Sequence, residues 1–135
     1  MGIDPGAEIS VWPSKLHDHV ALEATEESKS GVMYWGPSDL TAPSIKNEGK
    51  RAYQLDVGGK TLTHRPHICN VRRPLLAVSN LNDNGWGVMS TLEGGWMEHR
   101  ATETIISFNR VGGRFEIRAK VSDLHAMGGH GPPLA

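Results

Sequence analysis

A single cysteine, Cys69, stands in a chain of 135 residues. No intramolecular disulfide can staple the fold, and a reducing compartment is the natural expectation. An excess of either charge is also missing: the formal net charge is −1, and basic residues do not cluster. That balance argues against a nucleic-acid platform, so no nucleic-acid partner is expected. No apolar run reaches the length of a membrane span or of a signal-peptide core, so no membrane partner is expected either. The chain reads as an intracellular, cytoplasmic protein. Metal-ligand pairs of the Cys-x-x-Cys kind are absent as well. The cluster His64, His67 and Cys69 and the pair His17 and His19 fall short of the four ligands of a closed site. The expectation is no metal and no cofactor.

Turn-forming residues are plentiful. Sixteen glycines and eight prolines punctuate short alternating runs, the pattern of an all-β domain long enough to build one core. Arg51 to Val57 alternates, with Tyr53, Leu55 and Val57 on one face, and Gly58-Gly59 predicts a tight hairpin into a return strand over Lys60–Val71. Pro66 marks that return strand as an edge or a bulged one. Trp86–Leu92, Gly95–Arg100, Thr104–Asn109 and Arg114–Lys120 read as a strand meander. Leu75, Leu76, Val78 and Leu81 share a helical face, predicting one short helix over Leu75–Asn84 with Gly85 just beyond its end. Glu23–Ser30 reads as a solvated connection. Residues 122–135 lose periodicity and are expected to be a disordered tail, leaving 1–121 as the folded domain.

Two stretches carry chemistry. Gly2-Ile3-Asp4-Pro5-Gly6-Ala7 sets a carboxylate in a Gly/Pro turn. The turn feeds an alternating strand with Ile9 and Val11 on one face and Glu8, Ser10 and Trp12 on the other. Backbone amides converging on such a carboxylate hold it in place. The second stretch is Arg73-Pro74-Leu75-Leu76-Ala77-Val78-Ser79-Asn80-Leu81-Asn82-Asp83-Asn84-Gly85, followed by Trp86-Gly87-Val88-Met89. Together they resemble the retropepsin-like aspartic protease domains of copia-type retrotransposon polyproteins. In that family an Asp-Ser-Gly-Ala turn is followed, at a similar distance, by a Leu-Leu-Ser-Val-x-x-Leu-x-x-x-Gly segment.

The resemblance runs from Gly2 to about Ile117. It implies an acid-protease-like closed barrel or half-barrel with one short helix, and an endopeptidase acting on a peptide or polyprotein substrate. Asp4 would be the catalytic carboxylate and Pro5, Gly6 and Ala7 its turn. Tyr34, Trp35 and Gly36 would lie at the flap that covers bound peptide. Leu75, Leu76, Ala77 and Val78 would pack behind the site as a strand running into a short helix. Two like charges about 3 Å apart cannot both ionise, which is how an aspartate pair supplies one base and one acid. The chain holds no second Asp-(Ser/Thr)-Gly motif. Asp56-Val57-Gly58 falls in a predicted hairpin and Asp83-Asn84-Gly85 at a helix end. The second carboxylate must then be Asp4 of another copy, making a homodimer a requirement.

Two departures weigh on activity. Pro5 stands where the family has Ser or Thr, and proline offers neither a hydroxyl nor an N–H. Only Met1, Gly2 and Ile3 precede Asp4, so the domain is expected to be N-terminally truncated relative to the family, with Asp4 on a frayed strand. Two readings stay open: an impaired aspartic endopeptidase, and a non-catalytic β domain derived from a retroelement protease, monomeric or peptide-binding.

Overall fold

The computed structural model describes residues 1–34 and 45–135. Its strands are β1 (Gly2–Asp4), β2 (Val11–Pro13), β3 (Met33–Tyr34), β4 (Ile45–Lys46), β5 (Gly49–Lys50), β6 (Tyr53–Val57) and β7 (Lys60–His64). They continue as β8 (His67–Cys69), β9 (Leu75–Ala77), β10 (Trp86–Ser90), β11 (Gly94–His99), β12 (Thr104–Val111), β13 (Arg114–Glu116) and β14 (Lys120–Asp123). Three short α-helices punctuate them: α1 (Glu26–Lys29), α2 (Val78–Asp83) and α3 (Leu124–Met127). The protein is mostly β, as composition and alternation predict.

Nine strands form one sheet in the order β10-β11-β12-β13-β1-β9-β2-β8-β5, and a second sheet holds β14-β6-β7. Local alternation produces the antiparallel meander β10 to β13. It also produces the β6–β7 hairpin, whose turn glycines Gly58 and Gly59 take φ of +56° and +81°, values a two-residue turn of this hand requires. Among the described residues the large sheet is open, ending at β10 on one side and β5 on the other. This corrects the closed-barrel expectation, and three short helices replace the single one expected. The predicted strand Lys60–Val71 splits into β7 and β8, because Arg65-Pro66 breaks the ladder and sends the two halves to different sheets. No helix among the described residues is long and apolar enough to cross a membrane.

One apolar cluster joins the layers, with Trp12, Tyr53, Leu55, Leu62, Ile68, Leu76, Leu81 and Met97 all buried within it. The segment expected to be a disordered tail enters this cluster. Ser122 and Asp123 belong to β14, α3 follows, and the side chain of Leu134 is fully buried. Residues 131–135 run along β7: Thr63 N–H donates to Pro132 O at 3.2 Å, Leu134 N–H to Thr63 O at 2.9 Å and Arg65 N–H to Ala135 O at 2.8 Å. Gly131 makes this approach possible, since a Cβ there would collide with the carbonyl of Thr61. A Gly/Pro-rich composition reads as disorder only when no edge strand is available to pair with it.

His64 is the costly member of the core. Its ring is fully buried, edge-on to Trp12 with centroids 5.8 Å apart, and neither ring nitrogen has a hydrogen-bond partner among the described residues. Burial above all, and then Lys50, pushes its pKa down from 6.5 to about 3. The unfolded chain therefore binds a proton before the folded one does. Stability falls as pH drops from about 6.5 towards 3, by at most about 1.4 kcal/mol per pH unit. Urea-unfolding midpoints measured between pH 7 and 4 are expected to decline less steeply in His64→Leu than in the wild type. Parallel declines would assign the acid sensitivity to other groups.

Candidate active site

The site is built around β9. β1 runs parallel to β9 on one side, with Asp4 opposite Ala77, and β2 runs antiparallel to it on the other, with Val11 opposite Leu75. The chain segment from Asp4 to Ser10 must therefore hook over the end of β9, at the corner where α2 begins. Three hydrogen bonds clasp the hook there. The buried hydroxyl of Ser10 accepts the N–H of Ala77 at 2.9 Å, Ser10 N–H donates to Asn80 Oδ1 at 2.6 Å, and the Ser79 hydroxyl donates to Glu8 O at 3.1 Å. Ser10 and Trp12 form the core face of this stretch, whereas Ile9 and Val11 look into a cleft.

Asp4 is not on a frayed strand. β13 pairs with β1 on the side away from β9, and Met1 exchanges backbone hydrogen bonds with Ile117. The short segment before Asp4 is an interior strand, so the expectation of fraying is corrected by the pairing on both flanks. The half-buried Asp4 carboxylate accepts the N–H of Gly6 at 2.8 Å. Pro5 and Gly6 are exposed at the tip of the turn and Ala7 is half-buried beside the cleft.

Two hollows flank the turn. One, of about 610 Å³, is lined by Asp4 and Pro5 together with Arg73, Pro74, Arg114 and Phe115. The other, of about 540 Å³, lies between Gly6–Ile9 and the β3–β4 pair and is predominantly apolar, with Ala7, Ile9, Met33, Ile45, Val71 and Leu75 among its walls. Leu75 lines both, so β9 is their shared floor. Tyr34, on β3, borders the second hollow and its hydroxyl accepts from Asn47 Nδ2 at 2.9 Å. Trp35 and Gly36, the other two residues expected there, lie outside the described residues.

The strand Leu75–Ala77 passes into α2 at Val78, matching the strand-then-helix that the resemblance implies rather than one helix over Leu75–Asn84. Leu76 and Ala77 are fully buried and Val78 packs against the core. Gly85 follows the helix with φ +90°. Asp56 caps its own hairpin turn, accepting the N–H of Gly59 at 3.1 Å, and Asp83 closes α2. The residues of the histidine–cysteine cluster take separate environments. His64 is in the core, His67 bonds to Asn47, and burial above all, then Glu48, pushes the buried Cys69 thiol up to about 11. The rings of the half-buried His17, which lies against Trp12 and Tyr53, and the exposed His19 are 6.2 Å apart. Among the described residues no three His, Cys, Asp or Glu side chains gather as metal ligands.

Ser10 and Asn80 are the site residues that sequence reasoning passed over. Ser10 is a small, buried polar side chain just before β2, and its partner Asn80 stands seventy positions away on α2. Comparison of the chain with family models, with characterised proteins and with solved structures finds no match.

Ser10→Ala strands the buried Ala77 N–H and is expected to cost about 1–3 kcal/mol of unfolding free energy. Combined with Asn80→Ala, the loss should be non-additive by more than about 0.5 kcal/mol. Chemical denaturation of the four proteins measures both; additive losses would show that the two residues do not act as one clasp.

Proposed function

We propose that this chain is a retropepsin-like aspartic endopeptidase domain, of half-barrel type, that acts on extended peptides as a homodimer. The observation that carries the reading is the placement of Asp4. It ends an interior strand, one wall of its turn faces an apolar cleft, and the turn is clasped to the strand–helix corner formed by the second motif. Supplied with the Asp4 of a second copy, one ionised carboxylate takes a proton from water as that water attacks the peptide carbonyl carbon. The protonated partner gives its proton to the carbonyl oxygen. The carboxyl that took the water's proton gives it to the nitrogen while its partner takes a hydroxyl proton from the tetrahedral intermediate, so the C–N bond breaks to an amine and a carboxylic acid and the pair again shares one proton. The apolar walls of the cleft suit aliphatic or aromatic side chains of an extended substrate.

One observation favours a second reading, a peptide-binding β domain without chemistry. Pro5 removes both the N–H and the hydroxyl with which the turn would reach its twin across a two-fold axis, leaving the Gly6 N–H as the hydrogen bond recorded at Asp4. Neutral exchanges at this position therefore separate the readings.

Sedimentation analysis and a peptide-library cleavage assay, run from pH 4.5 to 7, test both. A dimer is expected, with cleavage lost in Asp4→Asn and raised roughly tenfold in Pro5→Ser, the worth of one or two recovered hydrogen bonds per turn. Cleavage that persists in Asp4→Asn would refute the aspartic mechanism. Peptide binding without cleavage in either the wild type or Pro5→Ser would establish the second reading.

A further inference from the structure

Asn47 is fully buried and commits every hydrogen-bonding group of its side-chain amide. Its Oδ1 accepts the N–H of Gly49 at 2.9 Å. Its Nδ2 donates to the Tyr34 hydroxyl at 2.9 Å and lies 2.7 Å from His67 Nδ1. The Gly49 contact settles which end of the amide is oxygen, so one Nδ2 hydrogen goes to Tyr34 and the other to His67. His67 Nδ1 must then accept, which requires a neutral imidazole carrying its proton on Nε2. The backbone reinforces the join: Asn47 N–H donates to Val32 O at 3.0 Å, and Glu48 N–H to Ile68 O at 2.8 Å. The β3–β4 pair, which supplies Met33, Tyr34 and Ile45 to the cleft, is fastened here to β5 and β8.

We propose that Asn47 and His67 are positioning residues that form a proton-sensitive fastening, holding Tyr34 and the β3–β4 pair at the cleft while His67 is neutral and releasing them when it is protonated. A protonated Nδ1 would set one N–H donor against another at 2.7 Å. Turning the Asn47 amide to offer its oxygen would abandon the buried N–H of Gly49, so neither arrangement satisfies all the groups.

The surroundings fix the direction of the switch. Burial, followed by Lys50 on β5, lowers the His67 pKa from 6.5, while Glu27 on α1 opposes them. Lys50 is the register partner of His67 across β5 and β8. Tyr34 and Cys69 have pKa values raised by burial and stay uncharged through the acid range. The fastening is therefore complete at neutral pH and opens on acidification below the ordinary histidine range. It is a property of this chain alone and stands whether or not the chain cleaves peptides.

Hydrogen–deuterium exchange of the full chain at pH 7.5 and 5, corrected for intrinsic exchange rates, reads the fastening directly. Protection over residues 32–34 and 45–47 is expected to fall roughly tenfold or more relative to that of β10–β12. His67→Gln offers a carboxamide oxygen to Asn47 but does not titrate, so it should keep its protection at both pH values. No selective loss in the wild type, or the same loss in His67→Gln, would overturn the proposal. Should His67→Gln fail to fold, the imidazole nitrogen spectrum of the wild type decides alone. A neutral ring protonated on Nε2 supports the fastening and one protonated on Nδ1 refutes it.

Discussion

The fold depends on one strand having two neighbours that are consecutive in the chain. β9 lies between β1 and β2, so the connection between those two strands has no route except over the end of β9. That end is also where α2 starts, with Ala77 as its first flanking residue and no side-chain cap of its own. The connecting loop supplies what the corner lacks. Ser10 takes the N–H of Ala77, and Asn80 and Ser79 return hydrogen bonds to the loop backbone. A buried N–H that loses its acceptor costs more than an ordinary hydrogen bond contributes. The clasp thus holds the Asp4 turn in register with the helix corner, and Asp4 inherits its position from contacts made six residues away.

Much of this architecture was legible because it is local. The meander β10–β13 and the β6–β7 hairpin pair neighbours in sequence, and both alternate between short turns. Leu75–Ala77 was less legible for a definite reason. A short apolar run buried on both faces carries no period, and the i, i+3 spacing of Leu75, Val78 and Leu81 satisfies a helix equally well. Only the pairing of β9 with Gly2–Asp4, more than seventy residues earlier, decides for a strand. The partner of Ser10 is equally remote, and so is the docking of Leu134 against β7 and α2. Polar residues whose meaning lies in a distant contact give no signal in a window of ten residues. Asn47 is the sharpest case: in the sequence it is one polar residue in a polar stretch, and in the fold it is fully buried with every side-chain donor and acceptor used.

Two imidazoles, His64 in the core and the half-buried His67, bear on the proposed chemistry. An aspartate pair sharing one proton works in mild acid, because its second carboxyl must stay protonated. His64 and His67 are both held below the ordinary histidine range by burial, so each folded-state environment prefers the neutral ring. Lowering the pH to favour the carboxyl proton therefore erodes the core at His64 and loosens the β3–β4 pair at His67. The two rings differ in depth of burial. His67 is half-buried and Glu27 opposes its downward shift, whereas His64 is fully buried with a pKa near 3. The proton that His64 takes up in the unfolded chain lowers stability from about pH 6.5 downward, so erosion of the core and loosening of the β3–β4 pair overlap on acidification. The proposed chemistry therefore asks for a pH at which the fold, with the His64 ring buried beside Trp12 and unpartnered among the described residues, is less stable than at neutrality.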